Sequence, residues 1–420
     1  MKNLKQETGN WKLVNWPVFH LRFSVSCFPF LLFLLLSSAP RTAPAAWSLG
    51  GDARYYQFVQ LDNPSGDRRD SELGVFRLKG SAAFADEITA EAHGVVGLQS
   101  PATTLSTTIA SGTTRHYLDL QHSENSGDDL LATLEMDRLN LTWEQAQFRF
   151  TVGRQAITWG VSYFWPVLDL FAPFAPQRID REYKPGVDAL RLTIPIADFS
   201  QLEVAAAGQG TSLQRDGSAG ALLRVHLGAA DVGLMLGRFH HDTVAGGFVT
   251  ADVMGSGLRA EAAHTDSGDS YDASIDRARF WRLSAGFDRQ LTPALNLTTE
   301  LAWNEFGTGH VHDYPFVALA DRVSRGEVTS LAQYYAAAAL AWQAHPLLTL
   351  TASGLWNIDD GSVLAQPYAE WSLADSIAVT LGGTFGIGPG PRAGPFGLQL
   401  PRSEYGSAPQ LLYAALKFYF

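Results

Sequence analysis

The charged residues best suited to act on a solute lie within one short segment of the chain. Five side chains of mixed sign follow one another closely there: Arg178, Asp180, Arg181, Glu182 and Lys184. Opposed charges held near one another orient polar solutes and set an ion preference. Aromatic residues and prolines precede them, a composition that suits a stiff segment packed against an apolar wall. The alternative is an external loop whose charges are simply solvated.

Two groups of histidines could carry catalysis or bind a metal. His240 and His241 precede Asp242, but no serine in a recognisable nucleophile context accompanies them. His310 and His312 are two residues apart, which suits chelation from one extended face. Such pairs are more often solvated loop residues. The sequence therefore predicts no catalytic, cofactor or metal residues, and no enzyme.

The scaffold for these residues is predicted by an alternation of apolar and polar side chains. Leu190, Leu192 and Ile194 flank Arg191 and Thr193, and similar segments recur over almost the whole chain after residue 46. Segments of about ten residues with one apolar face are typical of transmembrane strands. A soluble sandwich also alternates, but usually with fewer strands. We therefore predict an all-β fold, a transmembrane antiparallel up-and-down β-barrel.

The alternation divides the chain into eighteen predicted strands. They lie near 51–61, 73–84, 88–99, 131–143, 147–159, 188–196, 201–209, 218–227, 231–240, 246–254, 256–264, 280–288, 295–304, 332–342, 347–356, 362–372, 376–386 and 409–420. The connections alternate between short turns and longer loops, as in membrane barrels. An even count places both termini at one end, predicted to be periplasmic. The predictions of the first strand and of the pair 246–264 are the weakest, so a barrel of sixteen strands is the alternative.

The N-terminal segment, residues 1–46, has the order of a secretory signal peptide. Basic residues come first, then the apolar run 28–36, then small residues up to Ala46. The single cysteine, Cys27, precedes the apolar run, which argues against a lipoprotein. We predict a signal peptide over 1–46 and a barrel over 47–420. The whole chain has a formal charge of −11, and residues 1–46 hold five basic and one acidic residue, so −15 remains. A charge of this sign argues against nucleic acid as a partner.

Two segments resemble known families. The chain ends on an alternating strand with Phe418 and Phe420, which resembles the closing strand of Gram-negative outer-membrane β-barrels. In those proteins the terminal aromatic residue is the signal read by the barrel-assembly machinery. The segment 153–192 begins GRQ-x-x-x-WG and continues into an aromatic, proline-bearing stretch. It resembles porin-like outer-membrane families, among them the alginate-export type and several uncharacterised proteobacterial families.

The resemblance implies an outer-membrane channel for passive diffusion of small hydrophilic solutes. Residues 160–187 form the third external loop by our count, and in general porins this loop folds inward and narrows the channel. The partners of the protein would be outer-membrane lipid, the assembly machinery and the solute. The alternative is a non-conducting barrel that sheaths or anchors a periplasmic partner or an exported polymer. The alanine run 336–339 is a hint of a homo-oligomer, and the sequence does not decide between monomer and trimer.

The strands add predicted lumen residues to the loop cluster. Inward-facing charged positions near the channel are predicted at Arg149, Arg154, Arg191, Arg224 and Glu300. Arg154 has outward parity on an unbroken strand, so we expect a bulge at Gly153 to turn it inward. Basic side chains outnumber acidic ones among the inward-facing strand positions. This predicts a lumen that is neutral to mildly anion-favouring.

Overall fold

The computed structural model describes residues 46–61, 69–100, 116–126, 130–173, 175–180, 182–268, 277–394 and 399–420. The predicted signal peptide lies outside these residues except for Ala46. Arg181 of the charged cluster also lies outside the described residues.

Within the described residues the chain forms 21 strands, numbered in chain order. They are β1 (Ala46–Gln60), β2 (Arg69–Ala85), β3 (Ile88–Ser100), β4 (Gln121–Ser126), β5 (Leu130–Gln145), β6 (Phe148–Gln155), β7 (Val187–Ala197), β8 (Ser200–Gly208), β9 (Ser218–Leu227), β10 (Ala230–Phe239), β11 (Asp242–Val253), β12 (Ser256–Asp266), β13 (Arg279–Thr292), β14 (Leu295–Asn304), β15 (Tyr334–His345), β16 (Leu348–Asn357), β17 (Val363–Ala374), β18 (Ile377–Ile387), β19 (Arg392–Ala393), β20 (Gln399–Leu400) and β21 (Leu411–Tyr419).

The helices are short and lie in the connections. The α-helices are α1 (Leu213–Asp216), α2 (Tyr314–Ala318) and α3 (Asp321–Ser324), and single 3-10 turns cover Val311–Asp313 and Tyr405–Ser407. Among the described residues no helix is both long enough and apolar enough to cross a membrane.

Eighteen of the strands close into one antiparallel barrel. Each of them pairs with the next barrel strand along the chain, and β21 pairs with both β18 and β1. The closing pair runs in unbroken register from Asp52 opposite Tyr419 to Gln60 opposite Leu411. A closed sheet has no free edge, which is what a strand-built structure needs in lipid. The predicted fold class and the count of eighteen are confirmed.

Three further strands lie outside the ring of eighteen. Strands β19 and β20 pair only with each other. Strand β4 pairs with the first residues of β5, in a region that the sequence predicted to be loop. The predicted pair at 246–264, the weakest by sequence, corresponds to β11 and β12.

The two faces of the wall differ in polarity, as the alternation predicted. Leu234 and Leu236 are 62% and 61% exposed, whereas Met235 between them is 3% exposed. In β21, Phe418 is 44% exposed on the outer face and Lys417 is 8% exposed on the inner face. The exposed apolar side chains of the outer face suit contact with lipid.

The two ends of the barrel differ in their connections. At one end, which we call the turn end, two-residue turns such as 86–87 and 228–229 join the strands. The start of β1 and the end of β21 lie at this end. The long connections lie at the opposite end, which we call the loop end. That the turn end faces the periplasm stays a prediction.

The seam between β1 and β21 depends on close approach at Gly51. The Gly51 amide donates to the Phe420 carbonyl oxygen (2.8 Å), and the Phe420 amide donates back to Gly51 (3.1 Å). A Cβ atom at Gly51 would collide with the carbonyl oxygen of Arg77 and would lie 2.6 Å from Cζ of the Phe420 ring. The Phe420 ring also stacks on Phe76, with 5.9 Å between ring centroids.

Gly51→Ala should therefore weaken the seam, because overpacking of this kind costs about 1–3 kcal/mol. We expect a lower unfolding temperature in detergent, measured as the loss of the compact, fast-migrating form on gels. Gly354→Ala in β16 is the matched control, since a Cβ atom there meets nothing within 4 Å. Equal unfolding temperatures for the two variants would contradict this account of the seam.

Candidate functional site

The described residues of the connection between β6 and β7, which are 156–173, 175–180 and 182–186, lie inside the barrel, and we call them L3. Trp159 and Leu168 are fully buried in a cluster with inward-facing Leu222, Met235 and Phe248 of the wall. The Trp159 ring packs edge-on against Phe171 and Phe239. Further along L3, Phe164 and Trp165 are buried in a second cluster with Tyr335 and Leu355. L3 therefore crosses the lumen with its aromatic side chains against the wall.

The carboxylate of Glu300, on β14, holds the middle of L3. Its Oε2 accepts hydrogen bonds from the backbone amides of Tyr163 (2.8 Å) and Phe164 (3.1 Å), and its Oε1 accepts one from Trp165 (2.7 Å). Irregular backbone in the interior must find partners for its amides. Glu300 supplies an acceptor for three successive amides, so L3 can lie in the lumen without secondary structure.

Glu261 of β12 holds the backbone amides of L3 on either side of residues 163–165. It accepts hydrogen bonds from the amides of Val161 and Ser162 on one oxygen, and from Leu168 (3.1 Å) on the other. A third wall carboxylate, Glu203 of β8, accepts from the indole N–H of Trp159. These three strand glutamates fasten L3 to one side of the barrel.

The far part of L3 is tied to β1 and β21. Asp180 accepts hydrogen bonds from Arg54 (2.9 Å) and from the hydroxyl of Tyr56 (3.1 Å). Glu182 pairs with Lys417 and with Arg54, the latter at 3.1 Å. L3 thus contacts the wall on both sides of the lumen.

The return of L3 towards β7 is fixed by aromatic and ionic contacts. The Tyr183 ring lies beneath the Arg77 guanidinium, whose Cζ is 3.7 Å from the ring centroid. Lys184 donates to both oxygens of Asp169, at 2.5 and 2.6 Å, which ties two parts of L3 together. Lys184 is therefore an internal brace of L3 rather than a residue facing the lumen space.

An open space remains between L3 and the wall formed by β15–β18, β21 and β1. Its volume is about 370 Å³. We call this space the gap. Its lining is polar and aromatic and includes Tyr56, Tyr163, Phe164, Arg178, Asp180, Glu182, Thr351, Ser353, Gln366, Tyr368, Glu370, Thr380, Thr384, Tyr413 and Lys417. Of the predicted cluster, Arg178, Asp180 and Glu182 line it.

The predicted strand residues have more varied positions. Arg191 pairs with Glu203 (2.7 Å) beside the Trp159 contact, and Glu300 holds L3. Arg224 lies over the Phe248 ring at 5.2 Å, next to the buried part of L3. Arg149 pairs with Glu144 near the turn end, and its side chain is 56% exposed. None of these four lines the gap.

Arg154 is a structural residue of the wall. It is 1% exposed and binds Asp188, with Nε to Oδ1 at 2.8 Å, and the carbonyl oxygens of Met136 (2.9 Å) and Leu118 (2.7 Å). Asp188 in turn accepts from the amides of Tyr117 and Leu118. The segment that contains Tyr117 and Leu118 continues into β4, which pairs with β5 beyond the point where β6 ends. Arg154 of β6 thus links β5, β7 and the segment before β4. Its predicted place at the channel constriction is therefore wrong.

The bulge predicted at Gly153 is also wrong. The β5–β6 and β6–β7 registers pass through Gly153 without a shift. Gly153 instead has φ of +113°, and a Cβ atom there would collide with the Leu139 carbonyl oxygen. The register shift lies in the β3–β5 pair, between His93 and Gly94.

Three further basic residues on the strands have carboxylate partners that the sequence did not reveal. Arg77 pairs with Asp137, and Lys79 pairs with Asp52 at 2.8 Å. Arg282 lies 3.8 Å from Glu327. These three cations are therefore paired with carboxylates that the count from the sequence did not include. Glu261 was missed as well, although it is a lone acid at inward parity among alanines, a signal that could have identified it.

Three of the connections at the loop end meet at Glu404. Its Oε2 accepts from the hydroxyl of Tyr335 (2.6 Å) and from Asn357 (2.8 Å), and its Oε1 accepts from the Leu331 amide (3.3 Å). Its own amide donates to Asp360 (2.7 Å). The contact therefore joins the connections that follow β14, β16 and β18. Burial raises the pKa of Glu404 to about 7.

The architecture defines a class: a closed 18-stranded antiparallel barrel with an infolded third long loop, as in transmembrane β-barrels. No family model matches the chain, and a comparison with curated proteins found no match.

Several solved structures are similar in fold. The outer membrane protein opdK from Pseudomonas aeruginosa has a TM-score of 0.54 at 10% identity, covering 89% of this chain and 98% of that chain. OccK8 (OprE) from Pseudomonas aeruginosa has a TM-score of 0.56 at 10% identity, covering 90% and 98%. OccAB4 from Acinetobacter baumannii has a TM-score of 0.54 at 9% identity, covering 90% and 98%. At these identities the likeness is one of fold.

Removing the Glu300 carboxylate should release the middle of L3. Glu300→Ala leaves three buried amides without their acceptor, and each such loss costs about 1–3 kcal/mol. We expect hydrogen exchange at the amides of Tyr163, Phe164 and Trp165 to accelerate by roughly tenfold or more. Glu72→Ala, on the exposed face of β2, is the control. Unchanged exchange in Glu300→Ala would show that other contacts of L3 are enough to hold its middle.

Titration of Glu404 should loosen the loop-end junction at alkaline pH. Its pKa in the folded protein, about 7, lies above the ordinary value of 4.5. Its contribution to stability is therefore full below the ordinary value and is lost as the pH rises through the folded value. Exchange of the Leu331 amide, corrected for its intrinsic rate, should accelerate between about pH 5 and about pH 8. Glu404→Gln should remove this dependence, and identical profiles for both proteins would refute it.

Proposed function

We propose that this protein is an outer-membrane, porin-like channel for passive diffusion of small hydrophilic solutes. The observation that carries the proposal is the position of L3. Glu261 and Glu300 fasten L3 to one side of the barrel, and a polar gap of about 370 Å³ remains on the other. A narrow space with opposed charges is the arrangement that selects solutes by size and charge.

The same proposal includes the cellular setting. The apolar outer face would contact outer-membrane lipid, and residues 1–46 would act as a cleaved signal peptide. The barrel-assembly machinery would recognise the last strand with Phe418 and Phe420, whose side chains are 44% and 51% exposed. The turn end would then face the periplasm. The fold shared with the outer membrane protein opdK supports this setting.

Other predictions from the sequence remain part of the proposal. A relationship to alginate-export barrels and a homo-oligomeric state through the wall around 336–339 stay predictions. We propose no catalytic role. His240 is buried at 9% exposure, and the His310 ring stacks on His312 with 5.7 Å between centroids. Among the described residues no group of three His, Cys, Asp or Glu side chains suits a metal ion.

A bulky group placed in the gap should obstruct conduction. Ser353 faces the gap, and the mature protein would lack cysteine because Cys27 lies in the predicted signal peptide. We expect Ser353→Cys, after reaction with a thiol-reactive sulfonate, to lose on the order of half its single-channel conductance in planar bilayers. The reagent should leave unmodified protein unaffected.

Ala352→Cys provides the matched control, because Ala352, the residue before Ser353, faces outward and is exposed. Conductance that is insensitive to the reagent in both variants would show that solutes do not pass through the gap. A purified barrel that inserts but never conducts would support the alternative, a structural barrel that sheaths or anchors a partner.

A further inference from the structure

We propose that the gap contains a binding site for an organic cation, a protonated amine or guanidinium group, formed by Glu182, Glu370 and Tyr368. The inference rests on the proposed function, since it takes the gap as the path of the solute. It adds the chemical class of solute that the path would favour.

The exposure of the charged groups carries the inference. The side chains of Glu182 and Glu370 are 37% and 40% exposed. Their cationic partners are hidden, with Lys417 at 10% and Arg54 at 3%. The cations therefore lie behind the carboxylates, and a solute in the gap meets the carboxylates first.

Glu370 keeps hydrogen-bonding capacity for a solute. Its Oε2 accepts from Lys417 (3.0 Å) and from the hydroxyl of Thr380 (3.3 Å). Both bonds end on the same oxygen, and a carboxylate has about four acceptor positions over its two oxygens. Oε1 is therefore left for a donor, which an ammonium or guanidinium group supplies.

Aromatic side chains stand beside these carboxylates. Tyr368 lies two residues before Glu370 on the same face of β17 and is 36% exposed, although it points into the barrel. Tyr413 lies close to it, since a Cβ atom at Gly382 would meet both side chains. Aromatic faces attract cations through their quadrupole, and carboxylates at the edge add a full charge. This combination favours a cation over an anion of the same size.

The charges at the gap are ordered by their accessibility. Asp180, Glu182 and Glu370 line the gap with Arg178 and Lys417, and Arg54 lies behind Asp180 and Glu182. The more accessible group of each of these ion pairs is the acidic one.

The test uses the full-length mature protein in planar bilayers, with putrescine as the cationic probe and succinate as an anion with the same four-carbon backbone. We expect potassium to permeate more readily than chloride in a salt gradient. Putrescine should block the current at concentrations where succinate has no effect. The Glu182→Gln, Glu370→Gln double variant should weaken the putrescine block by roughly tenfold or more.

Two further variants separate the site from general effects. Tyr368→Leu should weaken the putrescine block without changing the ratio of potassium to chloride permeability, because it removes the aromatic face and no charge. Glu72→Gln, on the exposed outer face of β2, should leave both quantities as they are in the unmodified protein.

The outcomes distinguish the two proposals. A conducting protein that succinate blocks and putrescine does not would overturn the cation site alone, as would a block unaffected by the double variant. A protein that never conducts would overturn the proposed function and the site together.

Discussion

Hydrogen bonds from the backbone of L3 to Glu261 and Glu300 are the interaction on which the rest of the site depends. Each carboxylate accepts three amides, from residues 161–168. A segment without secondary structure can stay in the interior only if its amides find acceptors. Because both glutamates lie on neighbouring parts of the wall, L3 is drawn to one side, and the position of the gap follows.

The barrel could be predicted almost completely from the sequence, for a simple physical reason. A wall with lipid on one side and polar groups on the other imposes a period of two on each strand. The predicted strand 256–264 corresponds to Ser256–Asp266, and 201–209 to Ser200–Gly208. Strand β4 was missed because QHSENS has no apolar face. It forms through pairing with β5, which no local pattern indicates.

The site was less predictable, because its contacts join residues far apart in the chain. The charges of Asp180 and Glu182 indicated a lumen cluster, but their partners Arg54 and Lys417 lie more than a hundred residues away. Glu261 showed only as a lone acid among alanines, and its partners, the backbone amides of L3, leave no pattern in the sequence. Arg154 was singled out by its parity, but its predicted place in the channel was wrong. Its actual role depends on the segment before β4, which lies where β6 would otherwise continue.

The two ends of L3 leave and rejoin the wall on adjacent strands, at Gln155 and Val187, which are paired with each other. L3 therefore begins and ends at one point of the wall, and its far part is bound to β1 and β21 as well. L3 is thus held at its base, its middle and its far part. In the proposed channel, passage of a solute would therefore be set by its own dimensions and charge rather than by an opening frequency of L3.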